Sequence, residues 1–201
     1  MHFSIDYEVR IVFNNLMLKK IFYFLVIALS LVTNAFALET FNMYVLGGPM
    51  TSQSSQNYTA KTGAIAGVIF NFSAGYAGWE IELLGAKRNY SELNGTKIDV
   101  IHGQLGAIMR YYVPPSKIIS FGVGPYIAKP ISNKGSIQSD QLEVGGAIST
   151  RLDTDAIFKF GPFATGLAVE LRFTGGALVS GQRKGNYLDA EAIAGLRFGV
   201  L

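Results

Sequence analysis

The sequence predicts an all-β fold, an eight-stranded antiparallel up-and-down transmembrane β-barrel preceded by an N-terminal signal peptide helix. Apolar and polar residues alternate in blocks along residues 38–201, as in strands with one apolar face. The connections between these blocks alternate between short and long. The first 37 residues have the composition of an export signal. These three observations lead to the barrel.

Composition supports strands over helices. Of the 201 residues, 49% are hydrophobic, 15% are charged and 23 are glycine. Mean hydropathy is high at +0.29, yet only one segment is a candidate membrane helix. The chain has no cysteine, which excludes disulfides, thiol nucleophiles and thiolate metal sites. The net charge of +3 includes no dense basic cluster, so nucleic acid is not an expected partner.

The N-terminal segment has the three parts of a secretory signal. Lys19 and Lys20 precede an apolar run at 21–32, and Ala35-Phe36-Ala37 follows as a small-x-small cleavage site. We therefore predict a signal peptide at 1–37 and a barrel at 38–201. A single membrane anchor is the alternative, but the run falls short of the roughly 20 residues that a spanning helix needs. Acidic residues ahead of the lysines indicate that Met17 is the true start and that 1–16 is a mis-called extension.

The alternating blocks define eight strands, predicted at residues 40–49, 61–71, 76–87, 98–113, 117–129, 139–151, 162–174 and 187–200. The connections at 72–75 and 114–116 are short, whereas those at 51–60, 88–97, 130–139 and 175–186 are long and polar. The connection at 152–161 is long for a turn, and we expect an extended hairpin end or a short flap there. An even strand count places both termini on one side, which export makes periplasmic.

The alternation also places charged and apolar side chains on opposite faces of the strands. Outward positions are expected to carry residues such as Trp79, Leu83, Met109 and Leu171, because a lipid-facing charge costs roughly 2–4 kcal/mol at mid-bilayer. The predicted lumen charge network comprises Glu80, Glu82, His102, Arg110, Glu143, Glu170, Arg172, Glu191 and Arg197, with Gln104 and Arg151 on the same face.

Within this network, two levels are expected. Glu80 and Glu82 should lie near Arg110 and Arg197, whereas Glu143, Glu170, Arg172 and Glu191 should meet higher up, near His102. An eight-stranded barrel is only just wide enough inside for side chains. We therefore predict buried ion pairs that plug the lumen, with a gated narrow pore as the alternative.

Aromatic residues are predicted to form two belts at the membrane interfaces. One belt comprises Tyr76, Trp79, Tyr111, Tyr112, Phe121, Phe160, Phe163 and Phe198, and the other comprises Tyr58, Tyr90, Tyr126, Phe173 and Tyr187. Random scatter of Phe and Tyr is the alternative.

With its signal peptide, alternating strands and terminal Gly195-Leu196-Arg197-Phe198 strand, the chain resembles the OmpA/OmpX-type outer-membrane β-barrel family. The resemblance implies a Gram-negative outer membrane, extracellular loops, periplasmic termini, lipid and lipopolysaccharide contacts, and recognition by the barrel-assembly machinery. The family's terminal strand usually ends on an aromatic residue, whereas Phe198 is followed here by Gly199-Val200-Leu201. No peptidoglycan-binding domain is expected after the barrel.

The expected function is a structural or surface-interaction role through the external loops, without enzymatic activity, cofactor or metal, and as a monomer. A loop with Lys87, Arg88 and Lys97 is expected to contact anionic lipopolysaccharide. A narrow channel for ions or small solutes is the first alternative. The second is a lipid A-modifying enzyme, which needs a Ser–His pair; Ser120, on the strand after that of His102, is the only loose candidate for the serine. A soluble lipocalin-like barrel is the last alternative, and it requires the faces to be reversed.

Overall fold

The computed structural model describes residues 40–54, 58–92, 97–134, 142–179 and 186–200. The predicted signal peptide lies outside the described residues. The strands are β1 (Thr40–Ser54), β2 (Tyr58–Ala74), β3 (Ala77–Glu92), β4 (Lys97–Tyr112), β5 (Ile119–Lys134), β6 (Glu143–Asp153), β7 (Phe158–Phe160), β8 (Phe163–Leu178) and β9 (Asn186–Val200).

Eight of these strands close into an antiparallel barrel. Strands β1 to β6 pair in sequence order, β6 pairs with β8, β8 with β9, and β9 with β1. The short β7 extends the β8 hairpin beyond the barrel wall, from Phe158↔Thr165 to Phe160↔Phe163. The predicted eight-stranded up-and-down barrel is therefore confirmed, and the connection at 152–161 forms an extended hairpin end.

The two ends of the barrel differ. The end with Thr40 and Val200, here called the turn end, carries tight turns at Gly75-Tyr76 and Gly161-Pro162, whose glycines have φ of 60° and 58°. These left-handed conformations suit glycine because it has no Cβ. The opposite end, called the loop end, carries the segments that link β1 to β2, β3 to β4, β5 to β6 and β8 to β9.

Most barrel strands extend further toward the loop end than the sequence indicates, whereas β6 begins at Glu143 and not at the predicted residue 139. Most of them have 15 to 17 residues, where a tilted membrane strand needs about 9–11. Strand β3 continues to Glu92, so Arg88 belongs to the strand and is buried inside the barrel. The prediction of Arg88 in a solvent-exposed loop is wrong, because a strand end that projects past the membrane carries polar residues on both faces and looks like a loop in sequence.

The outer surface is apolar and the interior holds the charges. Twenty-nine large hydrophobic side chains of the described residues are exposed, among them Trp79, Leu83 and Met109 at 46–50%. The fully buried side chains include four arginines, Arg88, Arg110, Arg151 and Arg172. Within the described part of the chain, no helix is long and apolar enough to cross a membrane.

One side of the interior is nevertheless apolar. A buried cluster joins β1, β2, β3, β8 and β9, and it includes Tyr44, Leu46, Ile65, Ile69 and Leu84. This cluster was not predicted, because β1 and β2 carry apolar or small residues on both faces and their alternation is weak. The charged side chains therefore pack against this apolar cluster, which excludes water from one side of the lumen.

Three tyrosines depart from the predicted belts. Tyr90, Tyr112 and Tyr126 are buried at 2–5% exposure and point inward, whereas Tyr111 and Phe121 face outward as expected. The reason is positional, since a one-residue step along a strand reverses the face. Depth alone therefore cannot distinguish an interfacial ring from a lumen ring.

Candidate functional site

The lumen near the turn end holds a neutral layer of two arginines and two glutamates. Arg151 Nη1 donates to Glu80 Oε1 at 2.6 Å, and its Nε donates to Glu170 Oε2 at 2.6 Å. Arg110 Nε lies 2.8 Å from Glu80 Oε2, and its Nη2 lies 3.4 Å from Glu170 Oε1. Arg151 and Glu170 are direct cross-strand neighbours on β6 and β8. All four side chains are fully buried, so each charge depends on its partners for compensation.

A second layer lies one step toward the loop end. Arg172 Nη1 is 2.6 Å from Glu82 Oε2, and its Nε is 3.6 Å from Glu191 Oε2 on the neighbouring strand. Gly106 faces Glu82, and a Cβ on this glycine would lie 2.6 Å from the carboxylate oxygen. A small residue at this position therefore gives the carboxylate the space that it occupies. This layer has one cation and two anions.

The third layer lies nearest the loop end. Arg88 Nη1 is 2.5 Å from Glu143 Oε2, and Arg88 Nε donates to Asp189 Oδ2 at 3.0 Å. The Tyr126 hydroxyl donates to Glu143 Oε1, and the Arg88 guanidinium lies 5.0 Å from the centre of the Tyr187 ring. This layer also has one cation and two anions, and its members come from four different strands.

The structure places the predicted site residues as follows. Glu80, Glu82, Arg110, Glu143, Glu170, Arg172 and Glu191 are buried in the three layers described above. His102 is buried near the third layer, close enough to Arg88 and Glu143 to interact electrostatically. Arg197 is only partly buried at the turn end, and it forms no ion pair within 4.0 Å among the described residues.

The predicted positions of Glu82 and Glu170 along the barrel axis are wrong. Glu82 pairs with Arg172 in the second layer instead of lying beside Arg110 and Arg197, and Glu170 belongs to the turn-end layer. Counting residues from the turns ignores the stagger between tilted strands, which displaces side chains that meet across the lumen. Sequence reasoning also left Asp189 and Arg88 out of the network. The polar alternation at Tyr187-Leu188-Asp189-Ala190-Glu191 was a signal for the former.

The Ser–His hypothesis is contradicted. His102 and Tyr112, the cross-strand neighbour of Ser120, are ten residues apart on β4. At about 3.3 Å per residue, the histidine and the serine lie roughly 33 Å apart, at opposite ends of the barrel. The Ser120 hydroxyl accepts a hydrogen bond from Arg110 instead. The described residues also include no group of three or more His, Asp or Glu side chains arranged to hold a metal.

The buried lumen is unbalanced in charge. It contains four arginines against seven carboxylates, namely Glu80, Glu82, Glu143, Asp153, Glu170, Asp189 and Glu191. The first layer is balanced, so the three carboxyl groups in excess of the buried arginines lie in the second layer, in the third layer and at Asp153, whose cavity also contains the partly buried Arg197. A lumen with more carboxyl groups than arginines favours cations over anions.

Comparison with known proteins supports the architecture. No protein-family model matches the chain, and no curated protein matches it. Among solved structures, the outer membrane protein OprG from Pseudomonas aeruginosa is 14% identical with a TM-score of 0.48, covering 80% of this chain and 94% of OprG. Neisserial surface protein A (NspA) is 13% identical with a TM-score of 0.52, covering 78% of this chain and 95% of NspA. The likeness to NspA shows that the chain has the fold of a small outer-membrane β-barrel.

Proposed function

We propose that this chain is an integral outer-membrane protein of a Gram-negative bacterium, with a structural or surface-interaction role through its loop end and a lumen closed by ion pairs. The observation that carries the proposal is the reversal of faces. Leu83, Met109, Val123 and Ile148 are each at least half exposed on the outer wall, while the arginines are buried inside. So large an apolar surface is unfavourable in contact with water, whereas the hydrocarbon chains of a membrane cover it.

Closure of the lumen rests on the stacked layers. Arg151 and Arg110 span the barrel at the turn end, and Arg172 and Arg88 do so above them. The apolar cluster fills the remaining side of the interior. The three charged layers and this cluster occupy the space that a continuous water column would need, since eight strands enclose little more than their own side chains.

The outward lysines support the proposed orientation. Lys61, Lys87 and Lys129 lie on the outer wall toward the loop end, and Lys87 pairs with Asp99 at 3.5 Å. Amines at this level suit the phosphates of lipopolysaccharide in the outer leaflet. The loop end is then extracellular and the turn end, with both barrel termini, is periplasmic. In this proposal the barrel is a monomer, and the assembly machinery recognises its β9 strand.

Localisation is tested by fractionation of cells that express the chain, with migration on gels before and after boiling. An intact barrel in detergent is compact and migrates differently from its boiled form. We expect the protein in the outer-membrane fraction with heat-modifiable migration. Recovery in the soluble periplasmic fraction would overturn the proposal and favour the lipocalin-like alternative.

A narrow cation channel is the second candidate, and the excess of three buried carboxylates favours it. Planar bilayers separate the two functions. A closed lumen gives no stable openings for the unmodified protein, whereas a channel gives discrete cation-selective steps. The matched control is the same preparation after boiling, because steps that persist after boiling do not come from the folded barrel.

A further inference from the structure

The turn end contains a polar cavity that the proposed function does not use. Its volume is about 500 Å³, and it lies between the barrel mouth and the segment that joins β6 to β7. The lining includes Tyr112, the acidic residues Asp153 and Asp155, and the cations Lys117, Lys159 and Arg197. This volume lies within the range of roughly 300–1,000 Å³ that small-molecule sites occupy.

Asp153 contributes a buried carboxyl group to this cavity. Asp153 is only 3% exposed, and it lines the cavity. The Tyr44 hydroxyl donates to Asp153 Oδ2 at 3.3 Å, and the Tyr44 ring lies 4.2 Å from the Arg151 guanidinium of the first layer. Asp153 Oδ1 and the Tyr112 hydroxyl are both buried with no hydrogen-bond partner among the described residues. Buried polar atoms rarely remain unsatisfied, so a missing donor is indicated at Asp153 Oδ1.

An opposite charge lines the same cavity without closing on Asp153. Arg197 interacts electrostatically with Asp153, yet no ion pair within 4.0 Å joins the two. A Cβ on Gly166 would lie 3.2 Å from both Arg197 Nη2 and the Thr154 carbonyl oxygen, which places the guanidinium beside the residue that follows Asp153. Asp153 and Arg197 therefore line one cavity as opposite charges that do not pair with each other.

We propose that this cavity binds a small zwitterion, a free amino acid or a dipeptide. The ammonium group donates to Asp153 Oδ1 and to the Tyr112 hydroxyl oxygen, and the carboxylate accepts from Arg197. The lining has both signs of charge, Asp153 and Asp155 on one side of the balance and three cations on the other, so a simple anion or a simple cation would meet groups of its own sign. The site goes beyond the proposed function, since it concerns the mouth opposite the loop end.

The test uses the full chain folded in detergent micelles and NMR titration of its backbone amides. The probes are L-alanine, alanyl-alanine, N-acetylalanine, which lacks the ammonium, and alanine amide, which lacks the carboxylate. We expect saturable shifts near Asp153 and Arg197 at millimolar concentrations, with roughly tenfold weaker binding of either blocked derivative because each loses one charged contact. Tighter binding of alanyl-alanine than of alanine would identify peptides as the source.

Two variants sharpen the test. D153N should bind alanine and N-acetylalanine alike, and R197Q should bind alanine and alanine amide alike, because each variant removes the partner of one group only. The matched controls are D99N and K129Q, which alter exposed charges on the outer wall toward the loop end. These controls should retain the wild-type preference.

The proposal is overturned if the wild-type protein shows no saturable shift at the turn end, or if the blocked derivatives bind as well as alanine. These results need no variant, so they remain decisive if a substitution prevents folding. Binding is measured on the folded barrel in micelles, so its failure is distinct from a failure of outer-membrane localisation in the fractionation experiment.

Discussion

Replacement of Arg151 by methionine should destabilise the barrel severely. Arg151 is fully buried, contacts Glu80 and Glu170 through 2.6 Å hydrogen bonds, and covers the Tyr44 ring at 4.2 Å. Without it, the turn-end layer has one arginine for two glutamates. Removing one partner from a buried ion pair typically costs about 3–5 kcal/mol, because a buried charge is left uncompensated.

The second substitution E170M tests this reasoning. In R151M/E170M the layer retains Arg110 and Glu80, whose Nε–Oε2 distance is 2.8 Å, and its charge is again balanced. We expect the double variant to recover to within about 1–2 kcal/mol of the wild-type free energy of unfolding. R197M is the matched single control, because Arg197 has no ion pair among the described residues; its cost should stay within about 1 kcal/mol.

Urea unfolding in lipid vesicles measures these differences. Trp79 is the only tryptophan of the chain and is 46% exposed on the outer wall, so its fluorescence reports transfer between lipid and water. Unfolding midpoints and slopes give the free energy of unfolding. Loss of less than about 1 kcal/mol in R151M, or no recovery in the double variant, would refute the argument from buried charge.

Three further substitutions address the fit of the lumen, its charge and the outer wall. G106L should displace Glu82 from Arg172 and cost about 1–3 kcal/mol in the same unfolding assay, whereas A107L on the outer face should cost little. If R110A/R151A opens the lumen, its current should prefer K⁺ over Cl⁻, because carboxylates then outnumber arginines further; a reversal potential that indicates anion preference would contradict the charge count. L83R should destabilise the barrel in vesicles by about 2–4 kcal/mol while Q53R, toward the loop end, should not, and equal effects would argue against a lipid-facing wall.

The sequence predicts the faces of β3, β4, β6 and β8 well, because polar and apolar residues alternate strictly there and the side-chain period of a strand is two. Arg110, Glu170 and Arg172 are inside for this reason. Partner choice could not be predicted in the same way. Arg88 and Glu143 are 55 residues apart in the sequence. Whether two such distant side chains meet depends on the stagger of the strands around the barrel.

Strand ends were the other failure. Arg88 and Tyr90 lie in the part of β3 that projects beyond the length needed to cross a membrane, where the outer face is no longer apolar and the alternation disappears. The inward apolar residues of β1 and β2, such as Leu46 and Ile65, were missed because their outward neighbours are apolar or small as well. Local pattern therefore fails wherever both faces of a strand have similar polarity.

The three charged layers also constrain how the chain assembles. Arg151 and Glu80 are 71 residues apart, and Arg88 and Asp189 are 101 residues apart. The first contact joins β6 to β3 across the lumen, and the second joins β3 to β9, so the second requires the last strand to have reached its place beside β1. An open sheet in lipid would expose these arginines and an unpaired edge, both at high cost. Insertion and closure are therefore expected to occur together in one cooperative step, with slow folding set by long sequence separations.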